Sequence, residues 1–126
     1  MTFDWRAVVG LADELSKRAE EAALRSAISR AYYSAYCYAR DRAGLNTAGS
    51  RDSHKLVFEY YERRALGKLR DFGSNELPSL HKLRKEADYD EEAKISPNQA
   101  KLVVGRAKKV IAFLEALKKE EIQKQK

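Results

Sequence analysis

Residues 25–42, RSAISRAYYSAYCYARDR, combine small side chains, aromatics and cations in one stretch without glycine or proline. Nothing in it interrupts a helix once the first turn has formed. At about 100° per residue, Leu24, Ala27, Ile28, Ala31, Ala35, Tyr38 and Ala39 fall on one broad apolar side. The alanines at 27, 31, 35 and 39 let another backbone come close. The opposite side carries Arg30, Tyr33 and Cys37, with Arg40 and Asp41 a turn on. An arginine and a phenol therefore stand where a solvated helix usually shows Lys and Glu, and that side calls for partners. Arg30 reads as mostly buried and structural, held by a carboxylate or a helix end, because its own helical neighbours offer no acid. This stretch is the expected central helix.

The remaining segments arrange themselves around it. A first helix over Asp4–Ser16 places Trp5, Val8, Val9, Ala12 and Leu15 on one stripe, with Asp4 as a cap and a polar bend from Ser16 to Glu21. The central helix should stop near Gly44, and Leu45–Ser53 reads as a loop from its Gly, Asn, Ser and Asp content. A third helix over His54–Leu69, kinked near Gly67, should bury Leu56, Val57, Tyr60, Tyr61 and Leu66 and carry the densest basic cluster, Arg63, Arg64, Lys68 and Arg70. Asp71–Asn75 reads as a turn. A fourth helix over Glu76–Ala87 has Pro78 in its first turn and Leu77, Leu80, Leu83 and Ala87 on one side. After a charged link, Asp88–Ile95, the start signal is explicit: Ser96 as cap, Pro97 at the first helical position and Gln99 as the reciprocal partner. The last helix runs to about Lys119 on a stripe of Ala100, Val103, Val104, Ala107, Val110, Ile111, Leu114 and Leu117, and residues 120–126 form a charged tail expected to fray. No alternating run suggests a sheet. The expected fold is all-α, an antiparallel up-and-down bundle of four to five helices, one domain over residues 1–119.

Bulk properties narrow the function classes. A chain of 126 residues has room for one core, and no stretch approaches the roughly 18 apolar residues of a membrane span. The start, MTFDWRAVV, lacks the basic, then apolar, pattern of a secretory signal, so a cytoplasmic location is expected. The lone cysteine, Cys37, excludes an internal disulfide and reads as a small core residue. Neither His54 nor His81 has a second soft ligand at helical spacing, so no metal site is expected. Asp88, Asp90, Glu91 and Glu92 lack the glycine-containing framework of a cation loop and read as solvated acid. No phosphate-cradling glycine loop, nucleophile elbow or Cys/His couple appears, and no cofactor is implied. The net charge of +6 makes an acidic partner plausible, nucleic acid being the commonest.

One constellation remains. His81, Arg84 and Asp88 are spaced i, i+3 and i+7 and share a helix face, with Lys85 beside them and Tyr89 just beyond. An arginine can grip a phosphate bidentately and a histidine can move a proton, which suffices for metal-free RNA cleavage through the 2′-hydroxyl. On this reading Arg84 is an exposed guanidinium that contributes little to the fold.

The run Arg30, Ala31, Tyr32, Tyr33 inside a small-residue helix resembles the second helix of HEPN domains. The stretch Leu83–Ser96, LRKEADYDEEAKIS, resembles the family's segment in which an arginine precedes Ala-Asp-Tyr and a short loop, and the final helix, with Ala100 and Ala107, is similar to theirs. The resemblance covers about residues 20 to 117. It implies a helical homodimer that binds nucleotide or RNA, with Arg84 as the contact carried over; Lys85, Asp88, Tyr89, Arg30 and Tyr33 are candidate contacts from their places on the two helix faces. It further implies a minimal nucleotidyltransferase as partner in a two-gene, toxin-antitoxin-like or defence system. HEPN nucleases place a histidine four to six residues after the arginine. Here Tyr89, Asp90 and Glu91 hold the nearby positions, and Lys85 replaces the polar residue common in active members. A metal-independent endoribonuclease using Arg84 with His81 or His54 is therefore the alternative expectation. A non-catalytic bundle that dimerises through its aromatic face is a third.

Overall fold

In the computed structural model, which describes residues 2–47 and 49–126, the apolar stripe lies within one 23-residue helix, α2 (Glu21–Ala43). The others, in chain order, are α1 (Arg6–Ser16), α3 (Ser53–Glu62), α4 (Gly67–Asp71), α5 (Leu77–Tyr89), α6 (Pro97–Ala116) and α7 (Lys119–Gln123). Met1, and Ala48 within the expected loop, lie outside the described residues. The fold is an all-α bundle framed by the five helices of ten or more residues, without a strand among the described residues. No helix of the described residues is long and apolar enough to cross a membrane.

Five helices, α1, α3, α5, α6 and α7, pack on α2. Ala27, Ala31, Ala35 and Ala39 have no exposed surface, as expected where neighbouring backbones close onto methyl-sized side chains at interior packing density. Ser34 is also fully buried, and its hydroxyl donates to the Trp5 carbonyl at 2.6 Å, pinning the start of α1 to the middle of α2. Gly44 ends α2 with φ 71°, in the left-handed region where glycine is unstrained. The start of α6 is built as read: Ser96 Oγ accepts from the Gln99 amide at 3.2 Å, and Gln99 Oε1 accepts from the Ser96 amide at 2.8 Å.

Five expectations need correction. The third helix does not continue to Leu69; α3 ends at Glu62 because the backbone that follows pairs with the C-terminus. The Ala65 amide donates to Lys124 O at 2.8 Å, and the Lys126 amide donates to Arg63 O at 2.9 Å. Residues 120–126 accordingly do not fray. Ile122 has no exposed surface, and the buried Arg64 guanidinium lies 3.7 Å from the Tyr60 ring centre while donating to Gln123 O at 2.9 Å.

The expected turn at Asp71–Asn75 is instead a π-helical turn, Phe72–Glu76, continuous with α4 before it and α5 after it. Gly73 is what this segment requires. A Cβ there would overlap the Phe58 carbonyl oxygen and lie 2.5 Å from the Glu62 nitrogen, so α3 rests directly on the glycine's backbone. Leu56 and Leu66, expected in the core, are 45% and 36% exposed. Fifth, Arg30 is exposed rather than buried, and no hydrogen bond or ion pair holds it among the described residues.

The link after α5 is ordered by an arginine on α2. Arg25 Nη1 donates to Ala87 O at 3.0 Å and to Asp90 O at 2.9 Å, and Nη2 donates to Ala93 O at 2.6 Å. Ala87 O is one of the carbonyls that the end of α5 leaves without a helical partner, and Asp90 O and Ala93 O belong to the link that follows.

Gly73→Ala tests the close approach of α3. Overpacking of this kind costs about 3 kcal/mol, and we expect the urea midpoint to fall accordingly with the slope unchanged. An unaltered midpoint would contradict the packing described.

Candidate functional site

α2, α3 and α5 bring together residues far apart in sequence. His54, on the first turn of α3, and His81, in the first half of α5, stack with ring centres 4.4 Å apart and planes 4° apart. Tyr36 stacks on His54 at 4.2 Å, and Tyr32 stacks on His81 at 5.1 Å. Sequence reasoning treated the two histidines separately. Their pairing depends on how α3 and α5 dock on α2, which helical spacing does not report.

The Tyr32 hydroxyl lies 2.6 Å from His54 Nδ1. Burial holds this phenol protonated by pushing its pKa up, and it has no other acceptor among the described residues. We therefore assign it as donor, which leaves the neutral imidazole its proton on Nε2. Burial also lowers the pKa of both histidines. For His54 the positive charges of Arg84 and Lys85 add to it. For His81 the neighbouring His54 adds next, then Lys85 and Arg84, taking it to about 4. Near neutral pH the stack is uncharged. His54 has its Nδ1 lone pair taken by Tyr32, and neither ring is charged and ready to give a proton.

Arg84 stands beside this stack and joins α5 to α2. Its Nη2 donates to the Tyr33 hydroxyl at 2.5 Å, and Nε pairs with Asp88 Oδ2 at 2.9 Å. Its guanidinium carbon lies 4.7 Å from the Tyr33 ring centre and 5.6 Å from that of Tyr89. Asp88 Oδ2 also accepts from Ser29 Oγ on α2 at 3.2 Å. The Arg84 side chain is only 13% exposed. The expected solvated arginine is therefore a half-clamped one, while Arg30, expected to be clamped, is free.

The other sequence-derived contacts fall around this centre. Lys85 is exposed, and Tyr89 is 72% exposed, its ring standing over Arg84. Tyr33 and Asp88 position Arg84 rather than projecting freely. His81, Arg84 and Asp88 share the α5 face as their spacing implied. The basic cluster at the end of α3 is mostly committed elsewhere: Arg64 and Arg70 donate to backbone carbonyls, and Arg63 pairs with Glu59 at 3.6 Å.

Beside Tyr33 an open groove of about 730 Å³ runs along α2, bounded by Trp5, Tyr36, Cys37, Arg40, Asp41 and His54. Sequence reasoning did not find it, since it forms between the chain entering α1, the face of α2, residues 45–47, 49 and 50 of the loop after α2, and the start of α3. Cys37 is buried in its floor, and burial pushes the thiol up to about 11. It is a small core residue with no nucleophilic character near neutral pH. Among the described residues no three His, Cys, Asp or Glu side chains converge on a common point.

Comparison of the chain with known protein families, with curated proteins and with solved structures gave no match. The site's chemistry therefore rests on the geometry above.

The histidine stack sets a pH dependence. Both rings have folded pKa values below their ordinary 6.5, so the unfolded chain takes up protons first as acid is added. Their contribution to stability is complete above that value and is lost as pH falls toward about 4, the folded value of His81. We expect the denaturation midpoint to drop through this window, and to drop less when both histidines are replaced by phenylalanine. Identical pH profiles for the two proteins would contradict the buried, neutral stack.

Proposed function

We propose that this protein is a HEPN-like binder of nucleotide or RNA. On this reading it works as a homodimer beside a nucleotidyltransferase partner in a two-gene, toxin-antitoxin-like or defence setting. The observation that carries the binding reading is the state of Arg84. Its Nη2 is hydrogen-bonded to the Tyr33 hydroxyl and its Nε lies 2.9 Å from Asp88 Oδ2 in an ion pair without an aligned hydrogen bond, while Nη1 has no protein partner among the described residues. A guanidinium held in this way presents a pre-oriented donor edge and loses little entropy when an anion arrives. Lys85 supplies a second cation next to it, Arg30 an unpaired one on α2, and the exposed Tyr89 ring a surface on which an unstacked base can lie. The net charge of +6 favours a polyanion over a neutral ligand. Asp88 and Tyr33 act in this reading by positioning Arg84. The dimer and the nucleotidyltransferase come from the resemblance of Arg30–Tyr33 and Leu83–Ser96 to HEPN segments.

A second reading, a metal-independent endoribonuclease, draws on one specific observation: His54 and His81 stack together next to Arg84. It ranks second because protonating the leaving group needs a charged imidazole, and both rings are held neutral.

Fluorescence anisotropy with a labelled short single-stranded RNA tests the proposal, with light scattering on the same preparation. We expect saturable binding at micromolar protein and a dimer mass. Arg84→Lys keeps the charge but loses the planar fork, and Lys85→Ala removes the second cation. Each should weaken binding about tenfold, or roughly 1.4 kcal/mol. RNA that stays unbound sinks the reading. Robust cleavage in the presence of a chelator, abolished by His81→Ala, would make the protein an enzyme instead.

A further inference from the structure

We infer that the groove beside Tyr33 holds a nucleobase of the same strand whose phosphate meets Arg84, an inference that rests on the binding reading above. Its size fits: about 730 Å³ lies within the roughly 300–1,000 Å³ of small-ligand sites. Its walls fit as well. His54 lines it too but has both faces covered, by Tyr36 and His81, so its aromatic walls are the half-buried rings of Trp5 and Tyr33. Such surfaces receive the face of any base.

The edge of a base needs a donor next to an acceptor, and the groove offers that pair on α2. Arg40 Nε and Nη2 donate to Asp41 Oδ1 at 3.2 and 3.0 Å. This leaves Asp41 Oδ2 as a free acceptor and Arg40 Nη1 as a free donor among the described residues. The Watson–Crick edge of every base presents complementary groups side by side once the base is unpaired. A phosphate or an acidic peptide in the same place would meet the Asp41 carboxylate, and an aliphatic ligand would leave both polar groups unsatisfied.

Tyr33 links the two halves of the site. Its ring lines the groove while its hydroxyl accepts from Arg84. Base and phosphate are therefore separated by the width of one side chain, as they are within a nucleotide. The geometry selects single-stranded RNA or a free nucleotide over a duplex, in which the bases are not available to enter.

Trp5 is the sole tryptophan of the chain and lines the groove, so its emission reports occupancy directly. Unlabelled short single-stranded RNA, titrated into the full-length protein, should change Trp5 emission saturably at the concentrations that give half-maximal anisotropy. Asp41→Ala, at an exposed position, should weaken the fluorescence titration at least about fivefold with the circular dichroism spectrum unchanged. Ribose 5-phosphate, which has no base, should leave Trp5 emission unchanged at any concentration. RNA binding by anisotropy with a silent Trp5, or full retention of the titration in Asp41→Ala, overturns the base groove while leaving RNA binding at Arg84 standing. No binding in either readout overturns both.

Discussion

The structure depends on α2 being buried along most of its length. A helix in that position must offer small residues wherever a neighbouring backbone comes close, and Ala27, Ala31, Ala35 and Ala39 do so with no exposed surface. Between those contacts it must fill volume, which Tyr32, Ile28 and Leu24 do. Two consequences follow. The exposed line along α2 is narrow, with Arg30 and Asp41 on it, and the partly covered positions next to it are where α3 and α5 dock. The candidate site forms at that boundary, because there Tyr33 and Tyr36 meet rings from two other helices.

Arginine does much of the remaining structural work. Arg25, Arg42, Arg64 and Arg70 each donate to backbone carbonyls: the end of α5 and its link, Leu117, Gln123 near the C-terminus, and the break after α3. Helix ends leave carbonyls unpaired, and a fork of five donors can satisfy several at once. The same residues make the net charge a poor guide to the binding surface, since these arginines point inward. In the proposed binding reading, Arg30, Lys85 and one edge of Arg84 are the cations left to meet a ligand near the ring stack.

The parts of the fold legible in the sequence are those governed by local rules. The extent of α2, its glycine stop and the Ser96–Gln99 box follow from spacing and capping chemistry within a few residues. The misread parts depend on distant partners. Gly, Ser and Asn at 73–75 look like a turn until α3 is seen resting on Gly73. A charged C-terminus looks frayed until Arg63 and Ala65 pair with it. The site divides in the same way: His81, Arg84 and Asp88 were grouped by helical spacing, whereas His54, the groove and Trp5 come from other elements. Arg84 is captured by Tyr33, on another helix, and by Asp88, on the next turn of its own, whereas Arg30 lies on the exposed line of α2 where no carboxylate reaches it among the described residues.

The central claim is that Arg84, beside the stacked histidines, belongs to a proposed ligand-binding surface rather than to a purely structural joint. The chain has only two histidines, so their imidazole proton resonances give two assignable reporters beside that surface. In an NMR titration with short single-stranded RNA, both resonances should shift together and saturate at one dissociation constant. Resonances that stay fixed while backbone amides elsewhere respond to RNA would place binding on another face and reduce the stack to core packing.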